Sequence, residues 1–95
     1  MRTVYRLYTE RRANLAELTS RYFSGFTLID AVGYWKGNAE PSAIVEVIGT
    51  SADYADTIIE LAHAIRIANG QQSVYLVRAE CELIEVTVDT AQEIT

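Results

Sequence analysis

Two arginines in tandem, Arg11 and Arg12, and the triplet Tyr34-Trp35-Lys36 carry the side chains of this chain best suited to holding a ligand. Arginine presents a planar fork of donors that matches phosphate or carboxylate. An exposed aromatic face stacks a base or attracts a cation. Amides at Asn14, Asn38, Asn69, Gln71 and Gln72 would add donors and acceptors. These parts suit a small anionic or nucleotide-like ligand. A catalytic set is harder to find. His63 is the lone histidine and falls among isoleucines, where a packed residue is the commoner outcome. Cys81 stands between Glu80 and Glu82 with no histidine near it in sequence, and is expected to be inert. Asp30 and Glu46 lie in apolar runs and could work as paired carboxylates, although Arg6 as a counter-ion would explain one of them. One cysteine and one histidine build neither an internal disulfide nor a Cys/His metal cluster. The glycines at 25, 33, 37, 49 and 70 match neither a P-loop nor a dinucleotide fingerprint. The expectation is a non-enzymatic binding protein with no cofactor and no metal.

Composition narrows the partners. A net charge of −5 argues against general nucleic-acid binding, which draws on a basic stripe. Nearly half the 95 residues are apolar, so one packed domain is expected, over 1–88 with a tail over 89–95. No apolar run approaches the roughly 18–20 residues that span a bilayer. The opening MRTVYRLYTERR has no apolar core of a secretory signal. A cytoplasmic, reducing compartment and no membrane are therefore expected.

The elements that must position these residues follow from period and punctuation. Thr3 to Thr9 alternates as a strand, with Tyr5 and Leu7 on one face and Val4, Arg6 and Tyr8 on the other. Asn14 has the type of an N-cap, Glu17 stands in the capping-box position, and Leu15, Leu18 and Tyr22 form a helical stripe that Gly25 would close as a left-handed cap. Phe26–Trp35 and Ala43–Ile48 are apolar runs separated by a polar break over 36–42, the pattern of a β-hairpin. Thr50-Ser51-Ala52-Asp53 is a second helix start. Tyr54, Ile58, Leu61, Ala62 and Ile65 form its core stripe, and Ile59, His63 and Ile67 a second one on another side. Ser73–Arg78 reads as a strand and Glu82–Val88 as an edge strand or its continuation.

The order is β-α-β-β-α-β, which predicts a ferredoxin-like α+β fold: an antiparallel sheet, two helices on one face, and an extra C-terminal strand. The loops 9–14, 35–42 and 69–73 should then meet at one end and gather the ligand residues. The other sheet face would carry Val4, Arg6 and Tyr8, then Leu28, Asp30 and Val32, then Ile44, Glu46 and Ile48, with Arg6 and Glu46 paired across the central strands. That face, with Ile59, His63 and Ile67, is apolar enough to predict a homo-oligomer, a dimer or higher.

The runs RYFSGFTLIDAVGYWKG, EPSAIVEVIG and GQQSVYLV resemble a family of small uncharacterised ferredoxin-like proteins of bacteria and phages, a domain of unknown function. In that family an aromatic-Gly-Phe-Thr strand leads into a Gly-aromatic-Trp segment, followed by an acidic-Pro-Ser strand and a Gln-acid-Ser-Val strand. Gln72 stands where the family often has an acid. The resemblance covers about 5–84 and implies the fold but no established chemistry. A phage-type member would work in the host cytoplasm, where sequestering a signalling nucleotide of host defence would suit a pocket without a catalytic set. The alternatives are an interaction module that inhibits a host protein, and a small ferredoxin-like isomerase or hydrolase.

Overall fold

Alternation of aromatic and aliphatic residues with polar ones makes β1 (Arg2–Glu10) the strand on which the sheet is built. A computed structural model describes residues 1–49 and 54–89, and shows β1 hydrogen-bonded on both sides. It is followed by α1 (Leu15–Ser20), β2 (Thr27–Trp35), β3 (Asn38–Gly49), α2 (Tyr54–Ala68) and β4 (Tyr75–Cys81). The antiparallel sheet has the order β2-β3-β1-β4, so β1 and β3 are central, as the ferredoxin-like reading requires. Tyr5, Leu7, Val45 and Val47 form the sheet side of the core; Leu15, Leu18, Phe23, Ile58, Leu61 and Ile65 form the other. The helix start expected at 50–53 and the tail beyond Asp89 lie outside the described residues.

Four sequence expectations change. The polar break over 36–42 is a tight turn of Lys36 and Gly37 alone, both at positive φ (50° and 80°). That left-handed pair matches the twist of a two-residue hairpin, and β3 accordingly starts at Asn38. Pro41 is tolerated inside β3 because its carbonyl, bonded by the Arg11 N–H, faces the side where β1 has already ended. Its missing N–H would have pointed the same way, so no bond to β2 is lost. The register of β2 is the second change. Leu28 pairs with Val45 and Asp30 with Ala43, which puts Leu28, Asp30 and Val32 on the helix side and Thr27, Ile29 and Ala31 on the open face. Phe26–Trp35 is apolar on both faces, so local pattern could not set its register. Thirdly, Asn14 makes no side-chain cap: its amide donates to Asn69 Oδ1 at 2.8 Å, and Glu17 instead pairs with Arg21 one turn on. Gly25 is not left-handed either, because α1 stops at Ser20. Lastly, 82–87 carries no strand within this chain.

Thr19 gives a direct test of the packing. It is fully buried, and its Oγ1 has no hydrogen-bond partner. Exchanging an unsatisfied hydroxyl for a methyl of the same shape removes a desolvation cost. Thr19→Val is therefore expected to stabilise the fold by about 1 kcal/mol in denaturant unfolding.

Candidate ligand-binding site

The end of the sheet where β1 leaves for α1 is where the sequence placed its ligand residues. Arg11 donates from Nη2 to the Ala31 carbonyl at 2.9 Å and from Nε to the Ser42 carbonyl at 3.4 Å, and its Nε lies 3.5 Å from Asp30 Oδ1. It ties the end of β1 to the middle of the β2–β3 ladder, where Ala31 and Ser42 are paired. Arg12 donates to Glu10 Oε2 from both Nε and Nη2. Both guanidiniums are thus matched by carboxylates of their own chain. Gln71 exchanges hydrogen bonds with the Thr9 hydroxyl, donating at 2.8 Å, and accepts from the Glu10 N–H at 3.3 Å. Asn14 is bridged to Asn69, and Gln72 is exposed.

Trp35 and Lys36 do not join this cluster. The β2–β3 ladder continues four residue pairs past Ser42 to Trp35–Asn38, with β1 no longer alongside. At about 3.3 Å per residue, the hairpin tip stands roughly 13 Å beyond the arginines. The Lys36 ammonium lies 5.6 Å from the Trp35 ring centre, so one face of the indole already holds a cation.

What converges instead is a groove of about 250 Å³ on the open face of the sheet. Register brings Tyr8 of β1 opposite Tyr75 of β4, Glu10 opposite Ser42, and Gly33 opposite Glu40. All six line the groove, together with Gln71 and Tyr34. Gly33 leaves its floor open; a Cβ there would meet Ser42 Cβ at 3.6 Å, an ordinary contact. Glu10 is neutralised by Arg12, whereas Glu40 has no ion pair among the described residues. Three phenol rings and one carboxylate without an ion pair favour a neutral or cationic molecule with a flat ring over a polyanion. The sequence showed Tyr8 as an interface residue and Glu40 as a loop residue. Only the pairing of β1 with β3 brings both to one groove.

Further along the same face, Val4, Ile44 and Ile48 surround Arg6 and Glu46, paired at 2.9 Å. The hydrogen bond to Glu46, and then its charge, push the Arg6 guanidinium above its ordinary range. Asp30 is on the opposite face, so it cannot work with Glu46 as a carboxylate pair. Ile59, His63 and Ile67 are exposed on α2. No helix among the described residues is long and apolar enough to cross a membrane.

Fold and groove together define a small ferredoxin-like α+β domain with an open-faced sheet. Solved structures share it. A phage SAM lyase in complex with S-methyl-5'-thioadenosine superposes with a TM-score of 0.66 at 15% identity, over 83% of this chain and 81% of that one. A DUF3240 family protein from Shewanella baltica superposes with a TM-score of 0.64 at 11% identity, over 90% and 96%. At these identities the likeness is one of fold. No family model matches the chain, and no curated protein matches it in sequence.

Proposed function

We propose that this chain is a phage-type, homo-oligomeric small-ligand binding protein that holds a nucleoside-like molecule in the open-face groove and sequesters it without turnover. The observation that carries this reading is the convergence of Tyr8, Tyr75 and the unpaired Glu40 around a floor left empty by Gly33. A phenol ring stacks a purine. A carboxylate accepts from ribose hydroxyls or faces a cation such as an amine or a sulfonium. The ligand named for the phage lyase structure, a neutral thioether nucleoside, is of this class. The nucleotide expected from the sequence gives way to a nucleoside here, because Arg11 and Arg12 are already committed to Asp30 and Glu10. A phage-encoded binder of this kind would act in the host cytoplasm.

The test is calorimetry of the intact protein against S-methyl-5'-thioadenosine, S-adenosylmethionine, adenosine, and mono-, di- and cyclic nucleotides. Phosphate-free nucleosides should bind, and phosphorylated ones more weakly. Binding only of phosphorylated members would overturn the groove as the site, and no binding at millimolar concentration would leave the inhibitory interaction module as the reading. Mass analysis after incubation decides the other half: intact nucleoside supports sequestration, while cleaved nucleoside makes the chain an enzyme.

The oligomer has its own test. Ile48 is exposed on the open face, beside the Arg6–Glu46 pair. Ile48→Glu would bury an unpaired charge in any assembly that covers this face. It should lower the mass measured by light scattering at concentrations where the wild type is associated, and an unchanged mass would dismiss the face as an interface.

A further inference from the structure

β4 is bonded to β1 on one side only, and no residue from Tyr75 to Glu80 is buried. Tyr75 is 72% exposed and Val77 44%, a hydrophobic edge of the kind that templates another strand. Over 82–89 the chain runs on exposed and unladdered, although Leu83, Ile84, Val86 and Val88 give it the composition of a strand. We propose that β4 pairs antiparallel with β4 of a second copy of this chain, about a two-fold axis at Ala79.

The charge pattern selects that register. With Ala79 opposite itself, Arg78 of each copy faces Glu80 of the other, and neither residue has an ion pair among the described residues of its own chain. A slip of two residues, which keeps the same faces together, sets Arg78 against Arg78 or Glu80 against Glu80. A slip of one turns the two open faces to opposite sides. In the Ala79 register Val77 meets Cys81, and Tyr75 meets Leu83 of the second copy on the open face, since Tyr75 and Val77 pair with Tyr8 and Arg6. The unladdered segment thereby gains a strand partner through Leu83. The second copy also adds an apolar wall beside Tyr75, at the rim of a groove that is open on one chain.

Sedimentation velocity on the full chain reads the contact. Arg78→Glu and Glu80→Arg should each raise the dissociation constant about tenfold or more, because two opposite-charge pairs become like-charge pairs. The double variant Arg78→Glu/Glu80→Arg should restore it to near wild type, which also controls for folding. Ala79→Cys in a Cys81→Ser background should oxidise to a covalent dimer, since facing residues of antiparallel strands lie about 4.5–5.5 Å apart at Cα. A wild-type monomer or trimer, single variants that associate like wild type, failure of the double variant to recover, or no covalent dimer would each overturn the proposal. A two-fold contact gives even-numbered assemblies only.

Discussion

Truncating Leu61 to alanine is expected to cost about 2–5 kcal/mol of folding free energy. Leu61 is 0% exposed and belongs, with Ile58 and Ile65, to the α2 stripe that faces the sheet. The cavity left by three missing carbons would be lined by a core of fixed strands and could collapse only in part. In a domain of this size each kcal/mol lowers the melting temperature by about 4–8 °C, so the loss is easily read by thermal unfolding. Ile67→Ala on the same helix is the control. Ile67 is exposed, and its truncation should change stability by no more than about 0.5 kcal/mol. Equal costs at the two positions would mean that α2 is turned the other way on the sheet.

The second large effect concerns the groove. Tyr75→Ala should weaken binding of S-methyl-5'-thioadenosine by about 1–3 kcal/mol if the phenol stacks the base. Gly33→Val should abolish it, because the side chain fills the floor between Glu40 and Ser42. The fold should tolerate that change: a Cβ at Gly33 makes only ordinary contacts, and a β-branched residue suits an edge strand. Trp35→Ala and Arg12→Ala should have little effect on affinity, the first because it sits on the hairpin tip and the second because it answers Glu10. Calorimetry of the four variants separates the groove from the loop cluster. A loss at Trp35 and Arg12 with Gly33→Val still binding would return the site to the loops.

The chain's local patterns determined the order and type of the six elements, and also suggested a further strand over 82–88 that the structure does not carry. Alternation over Thr3–Thr9 and the 3.6-residue stripe Ile58-Leu61-Ile65 are properties of neighbours in sequence, and the structure keeps both. Tertiary structure decided what depended on distant partners. Asn14 has the chemistry of a cap, yet Asn69, 55 residues on, takes its amide. Arg11 has the chemistry of an anion site, yet Asp30 of β2 meets it once the strands are placed; Arg12, by contrast, is taken by Glu10, only two residues away. In β2, apolar on both faces, only the two-residue turn at Lys36-Gly37 fixes which residues point toward the helices, and moving the pairing by one residue would exchange them all. Arg6 and Glu46, 40 residues apart, were legible as a pair because the alternation of two central strands puts both on one face. The groove was not legible, because its walls come from β1, β2, β3, β4 and the turn after α2. No one of those segments carries more than a fragment of it, and the antiparallel registers alone bring Tyr8, Tyr75, Gly33 and Glu40 to one place.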